Sequence, residues 1–179
     1  MTQIKTLNQA VYVAQDSIVS LSERDVNFLT SRVGQVDQKR VRLCVHQNIA
    51  EKLQEMLIAL EKGSYIRPAK HIHKEESMHV IQGVADLVFL DKKGCVRDIV
   101  FLGTLASGRQ FFCRIPKGAC HTLLIRSKIF VFHEVAEGPF RRSNTVFPPW
   151  APEDQNSTQT RKLMRRIETE VKNFKRKCS

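Results

Sequence analysis

Residues 78–103, MHVIQGVADLVFLDKKGCVRDIVFLG, are three short apolar runs separated by Gly83 and by the quartet Asp91-Lys92-Lys93-Gly94. Runs this short, ended by Gly, Asp and Lys, read as strands, and a glycine-containing loop between two of them reads as a hairpin. The pattern continues on both sides. VRLCVH (41–46) and QEMLIAL (54–60) precede it, and QFFCRIP (110–116), HTLLI (121–125) and IFVFHEV (129–135) follow. Short strands at roughly ten-residue spacing predict an all-β antiparallel sandwich or barrel, not alternating βαβ units. Glu61-Lys62-Gly63-Ser64 predicts a second hairpin by the same turn chemistry.

Helical signals sit only at the two ends. Ser22 followed three residues later by Asp25 is a helix start, with Val26, Leu29 and Val33 at helical spacing behind it. After Gly138-Pro139 the chain is expected to be irregular, with Pro148, Pro149 and Pro152 around Trp150. From about Ser157 to Lys177, Leu163, Ile167, Val171 and Phe174 form one helical stripe, which predicts an amphipathic helix docked on the barrel or at a subunit interface.

The 179 residues, 42% apolar and 26% charged, suit one globular domain with a real core. The expected division is an N-terminal extension with a short helix (1–37), a β domain (38–153) and a basic C-terminal helix (154–179). Residues 161–177 carry eight Lys/Arg against Glu168 and Glu170, so +6 of the net +11 lies there. The remaining body is mildly basic, which suits small anionic molecules better than nucleic acid. No apolar run approaches the ~20 residues of a transmembrane helix, and the N-terminus has no signal-peptide pattern, so a cytoplasmic protein is expected. Cys44, Cys95, Cys113, Cys120 and Cys178, odd in number and without a C-x-x-C pair, are expected to be reduced thiols.

Histidine placement carries the chemistry. In an extended strand His71 and His73 leave the same face and can reach one ion. His121 follows the Pro116-Lys117-Gly118 turn and suits a third ligand. Three imidazoles and a carboxylate form a mixed N/O site for a divalent transition metal: Fe, Ni, Mn, Co or Zn. In IFVFHEV, Phe130, Phe132 and Glu134 share one face; with the phenylalanines inside the barrel, Glu134 serves a site or a paired cation. Arg42, Cys44 and His46 likewise share a strand face.

The spacing H-x-H-x-x-E-x6-G, followed two strands later by P-x-G-x-x-H, resembles the paired motifs of the cupin superfamily. The further segments R-x-C-x-H (42–46), EMLIAL (55–60), YIRPAKHIHKEES (65–77), HEVAEGPF (133–140) and WAPE (150–153) look like the WbuC-type cupin metalloproteins, over about residues 38–153. That resemblance implies a double-sheet jelly roll (a double-stranded β-helix) and makes His71, His73, Glu76 and His121 the metal ligands. Glu75 is the alternative carboxylate: it keeps strand parity with His73, whereas Glu76 keeps the six-residue spacing to Gly83. It also implies a setting in bacterial surface polysaccharide (O-antigen, lipopolysaccharide) synthesis.

The function expected is isomerisation or epimerisation of a sugar or nucleotide-sugar, with Glu134 or His46 moving the proton and Arg42 and Tyr65 binding a polar or anionic substrate. An iron-dependent oxygenase and a non-catalytic small-ligand module use the same residues and stand as alternatives. A homodimer is expected from the resemblance.

Overall fold

The computed structural model describes residues 2–178, with side chains through Phe174. The strands are β1 (Ile4–Asn8), β2 (Val11–Ala14), β3 (Arg40–Cys44), β4 (Leu53–Glu61), β5 (Lys70–His71), β6 (Glu76–Gln82), β7 (Val84–Leu90), β8 (Val96–Gly103), β9 (Phe112–Ile115), β10 (His121–Ile125), β11 (Ile129–Glu137) and β12 (Thr145–Val146). Helix α1 spans Glu23–Val33 and α2 spans Thr158–Cys178. A seven-stranded sheet, in the order β1-β2-β3-β4-β11-β6-β9, faces a three-stranded sheet, β10-β7-β8; β5 and β12 form a separate ribbon.

The alternation along each strand decides what lies between the sheets. Met56, Ile58, Leu60, Met78, Val80, Phe130 and Phe132 point inward from the large sheet to meet Ala85, Leu87, Leu102, Leu123 and Ile125 of the small one. Leu43, Val41, Leu57, Ala59 and Val131 point outward, where Leu29 and Val33 of α1 cover them. Helix α1 starts where Ser22 and Asp25 place it: the Ser22 N–H donates to Asp25 Oδ2 at 2.9 Å, and the Thr2 N–H donates to Oδ1 at 3.1 Å. On the other side Leu163, Ile167 and Val171 of α2 pack on Val88, Leu90, Ile99 and Leu124, each buried side chain contributing about 1.5–3 kcal/mol. The irregular chain before α2 is tied down by Trp150, whose indole N–H donates to the Lys92 carbonyl at 2.9 Å.

Three expectations are corrected. Residues 4–14 extend the large sheet: β1 and β2 form a hairpin, and β2 runs parallel to β3. Their pattern is hard to read because β1 is an edge strand whose residues are mostly exposed. Glu61–Ser64 is a turn but no hairpin, since β4 has β3 on one side and β11 on the other and no free edge to pair with the chain that follows. Gly63, at φ 90°, sends the chain off the sheet instead. The strand through the histidines stops at His71, so Ile72 and His73 lie in a bend. Cys44, Cys95, Cys113 and Cys120 are free thiols; the Cys178 side chain lies outside the described residues. Among the described residues no helix is long and apolar enough to cross a membrane.

Candidate metal centre

The Pro116-Lys117-Gly118 turn assembles the site. Gly118 adopts φ 78°, a left-handed conformation in which a side chain would be strained, and its N–H donates to the His71 carbonyl at 2.7 Å. Two residues before His71, Ala69 exchanges backbone hydrogen bonds of 3.2 and 2.9 Å with His121. The two imidazoles are thereby held 5.8 Å apart, centroid to centroid. Glu76, only 6% exposed at the start of β6, reaches both: Oε1 lies 3.0 Å from His121 Nε2 and Oε2 lies 3.5 Å from His71 Nε2. The three donor atoms lie within 4.8 Å of one another.

The donors fit a divalent ion. Ligand atoms about 2.1 Å from a common ion stand about 3.0–3.5 Å apart at tetrahedral or octahedral angles, the spacing that Glu76 keeps to each imidazole. The outer nitrogens are already engaged: His121 Nδ1 lies 3.0 Å from the Ala119 carbonyl and His71 Nδ1 lies 3.1 Å from Thr145 Oγ1. Such outer contacts set the ring orientation and leave Nε2 for the metal.

The charges fit as well. Burial pushes the Glu76 carboxyl up, but the hydrogen bond from His121 and the positive charges of His121, Lys74 and His71 prevail and bring it down to about 2. Burial lowers His71 to about 4, against the pull of Glu76. Burial also lowers His121, yet the contact with Glu76 outweighs it and His121 ends above its usual value. His71 is therefore neutral at neutral pH, the form in which an imidazole can ligate a metal, and Glu76 is a carboxylate that demands a cation. Lys74 Nζ, 3.1 Å from Glu76 Oε2, is part of that demand.

A charged wall faces this group across the interior. Val41 and Leu43 lie under α1, so Arg40, Arg42 and Cys44 take the inward parity of β3, and Cys44 packs in the inter-sheet core. On β11, Glu134 continues the inward row of Phe130 and Phe132 and stands opposite Met78 and Met56. Burial raises the Glu134 carboxyl, and the nearby Glu76 charge raises it further, against Lys74, Arg42 and His121. Arg40 is brought down to about 10 by burial and by Arg42 beside it. Arg40 was missed in the sequence, although extending the Arg42/Cys44 parity back by two residues would have found it; nothing in the sequence marked Lys74.

The structure gathers His71, Glu76 and His121 and leaves His73 outside, exposed on the bend after β5. The expected shared strand face for His71 and His73 fails because the strand has already ended. Glu75 is turned away to Arg114, and its N–H meets Glu137 Oε2 at 2.8 Å, so Glu76 is the carboxylate at the group. His46 lies in the bend after β3 with Nδ1 2.8 Å from the Glu55 carbonyl, a structural engagement that holds its ring to β4. Tyr65 donates its hydroxyl to the Pro152 carbonyl at 2.8 Å and anchors the chain that leads to α2. His79 and His133 pair across strands on the outer face of the large sheet, His79 against Phe111 and His133 3.6 Å from Glu55.

A family model described as a domain of unknown function (DUF6016) matches residues 21–102. No curated protein matches. Among solved structures, the capsular polysaccharide assembling protein CapF from Staphylococcus aureus is 16% identical, with a TM-score of 0.50 over 63% of this chain and 32% of that one. The fold is that of the cupins. Oxalate decarboxylase from Bacillus subtilis (23% identity, TM-score 0.47, 60% of this chain and 27% of that one) is also similar. So is protein SO0799 from Shewanella oneidensis (13%, TM-score 0.47, 55% and 63%). The chain thus spans about a third of the staphylococcal protein and less than two thirds of the Shewanella one.

Proposed function

We propose that this cupin is a divalent-metal enzyme that isomerises or epimerises a sugar or nucleotide-sugar in bacterial surface polysaccharide synthesis. The observation that carries the reading is a pair of interior carboxylates pushed in opposite directions. Glu76 is held low among imidazoles, as a ligand is, and Glu134 is raised by burial and by the Glu76 charge, as a carboxyl that takes and returns a proton is. His71, Glu76 and His121 would hold the ion, and their N/O set suits Fe, Ni, Mn, Co or Zn. A bound divalent ion supplies Lewis-acid polarisation of a substrate carbonyl. Glu134 then exchanges the proton on the neighbouring carbon, Arg42 orients the substrate from β3, and the surrounding apolar side chains exclude water. The polysaccharide setting rests on the WbuC-type sequence resemblance, and the name of the staphylococcal neighbour points to the same process.

The test has two stages. Protein purified without added metal should hold a near-stoichiometric divalent ion by elemental analysis. Metal-loaded protein, incubated in deuterium oxide with a panel of sugars and nucleotide-sugars, should exchange one carbon-bound proton by NMR, and Glu134→Gln should abolish that exchange while keeping the metal. Retention of exchange in Glu134→Gln would defeat the assignment. The reading includes a homodimer, for which the exposed Ile81 and Phe112 on the outer face of β6 and β9 offer apolar surface; sedimentation velocity tests it.

A further inference from the structure

The inner face of β3 is unusual for a barrel interior. Two arginines, Arg40 and Arg42, stand two residues apart on one face, so their Cα atoms are about 7 Å apart. Both are half-buried, and among the described residues neither guanidinium makes a hydrogen bond or an ion pair at contact distance. Glu134 faces the same interior from β11, and Lys74, Arg42 and His121 all act on it, without bringing it below its usual value against burial and the Glu76 charge. The interior therefore places Arg40, Arg42 and Lys74 on the same side as the carboxylates Glu76 and Glu134, with the two guanidiniums unpartnered among the described residues. Buried guanidiniums without partners are costly, because their N–H donors lose water and gain nothing.

We propose that Arg40 and Arg42 form a two-arginine clamp for a phosphoryl dianion, so that the substrate of the metal centre carries a phosphate or diphosphate group. The inference rests on the metal-enzyme reading above and adds the substrate class to it. The charge and the geometry both favour a phosphoryl group over a carboxylate. One carboxylate is a monoanion that satisfies one guanidinium in a bidentate pair, whereas a phosphoryl group offers three oxygens and two charges to two forks set side by side. The mutual repulsion of Arg40 and Arg42 is relieved most by a dianion placed between them. A phosphorylated sugar and a nucleotide-sugar present the same chemistry to this clamp.

The probe is inorganic phosphate, titrated into the full chain by calorimetry at constant ionic strength, in metal-loaded and chelator-treated protein, with acetate as the monoanion control. Phosphate should bind and acetate should not compete. Arg40→Gln and Arg42→Gln should each weaken phosphate about tenfold to hundredfold, the range for hydrogen bonds to a charged group, with metal content unchanged. Because either substitution can disturb the fold, the wild-type arginine Nε–Hε signals are followed by NMR in the same titration, and two of them should shift together. Absence of phosphate binding in metal-loaded protein, equal binding of acetate, or unchanged affinity in both variants overturns the clamp. Arginine-dependent phosphate binding in protein that takes up no metal supports the clamp while removing the metal reading, so the two fail separately. Uridine diphosphate and glucose 1-phosphate, tested next, separate the two sources of the phosphoryl group by which binds more tightly.

Discussion

Asp86 and Glu76 are both buried carboxylates of this barrel, and their neighbours give them opposite work. Asp86, fully buried on β7, meets Arg126 Nε at 2.8 Å, and the same guanidinium reaches Glu168 of α2 at 3.6 Å. Glu76 meets two imidazole Nε2 atoms and a lysine. A guanidinium stays charged at any pH the protein meets, so the Asp86 cluster is a permanent clasp that holds α2 on the small sheet. An imidazole can be neutral and lend its lone pair, so the Glu76 cluster can exchange its proton for a metal ion. Donor chemistry, more than burial, separates scaffold from site.

The largest expected effect lies on the Glu76 side. His71→Ala and His121→Ala should each lose the bound metal, read by elemental analysis, with the fold retained by circular dichroism. His73→Ala should keep it, because that side chain lies outside the group; loss of metal in His73→Ala would show that the bend at 72–73 closes inward around the ion.

Next comes Asp86→Ala. Removing one partner of a buried ion pair costs about 3–5 kcal/mol, so denaturant unfolding should show a large loss of stability, while metal content per folded molecule stays the same. If the variant lost metal in proportion to Glu76→Gln, the contrast between the two clusters would collapse.

A third carboxylate, Asp25, sharpens the comparison because backbone N–H groups and a hydroxyl answer it. Burial pushes it up, but the hydrogen bonds from Ser22 and Thr2 win and hold it below its usual value. Asp25→Asn should cost about 1 kcal/mol, as loss of a helix cap does. A depressed folded pKa adds stability that is complete above the unfolded value of about 3.9 and is lost as pH falls through the folded value. The wild-type chain should therefore lose more stability than Asp25→Asn between about pH 5 and 2, measured by urea unfolding.

Tyr65→Phe is expected to be the smallest effect, about 1 kcal/mol for one hydrogen bond to the Pro152 carbonyl, with no change in metal or phosphate binding. A selective loss of phosphate binding would place Tyr65 in the pocket.

All eight apolar runs singled out between residues 41 and 135 are strands, and both terminal helices form where their caps and stripes place them. These features are local: a period of two or 3.6 and a capping residue act over a few neighbours, so they survive in one dimension. Of the four ligands expected, His121 was marked by the turn at Gly118, and Glu76 came only with the cupin resemblance, Glu75 standing beside it; His73, expected from strand parity, lies outside the group that the structure gathers. What the tertiary structure alone decided concerns faces and edges. Alternation along β3 shows that Arg42 and Cys44 share a side, but only the seating of α1 on Val41 and Leu43 makes that side the interior and adds Arg40 to it. Likewise only the saturation of both β4 edges ends the apparent hairpin at Gly63, and only the pairing of Lys70–His71 with Thr145–Val146 ends the strand before His73. Periodicity records which residues travel together; which way they point depends on contacts between segments far apart in the chain.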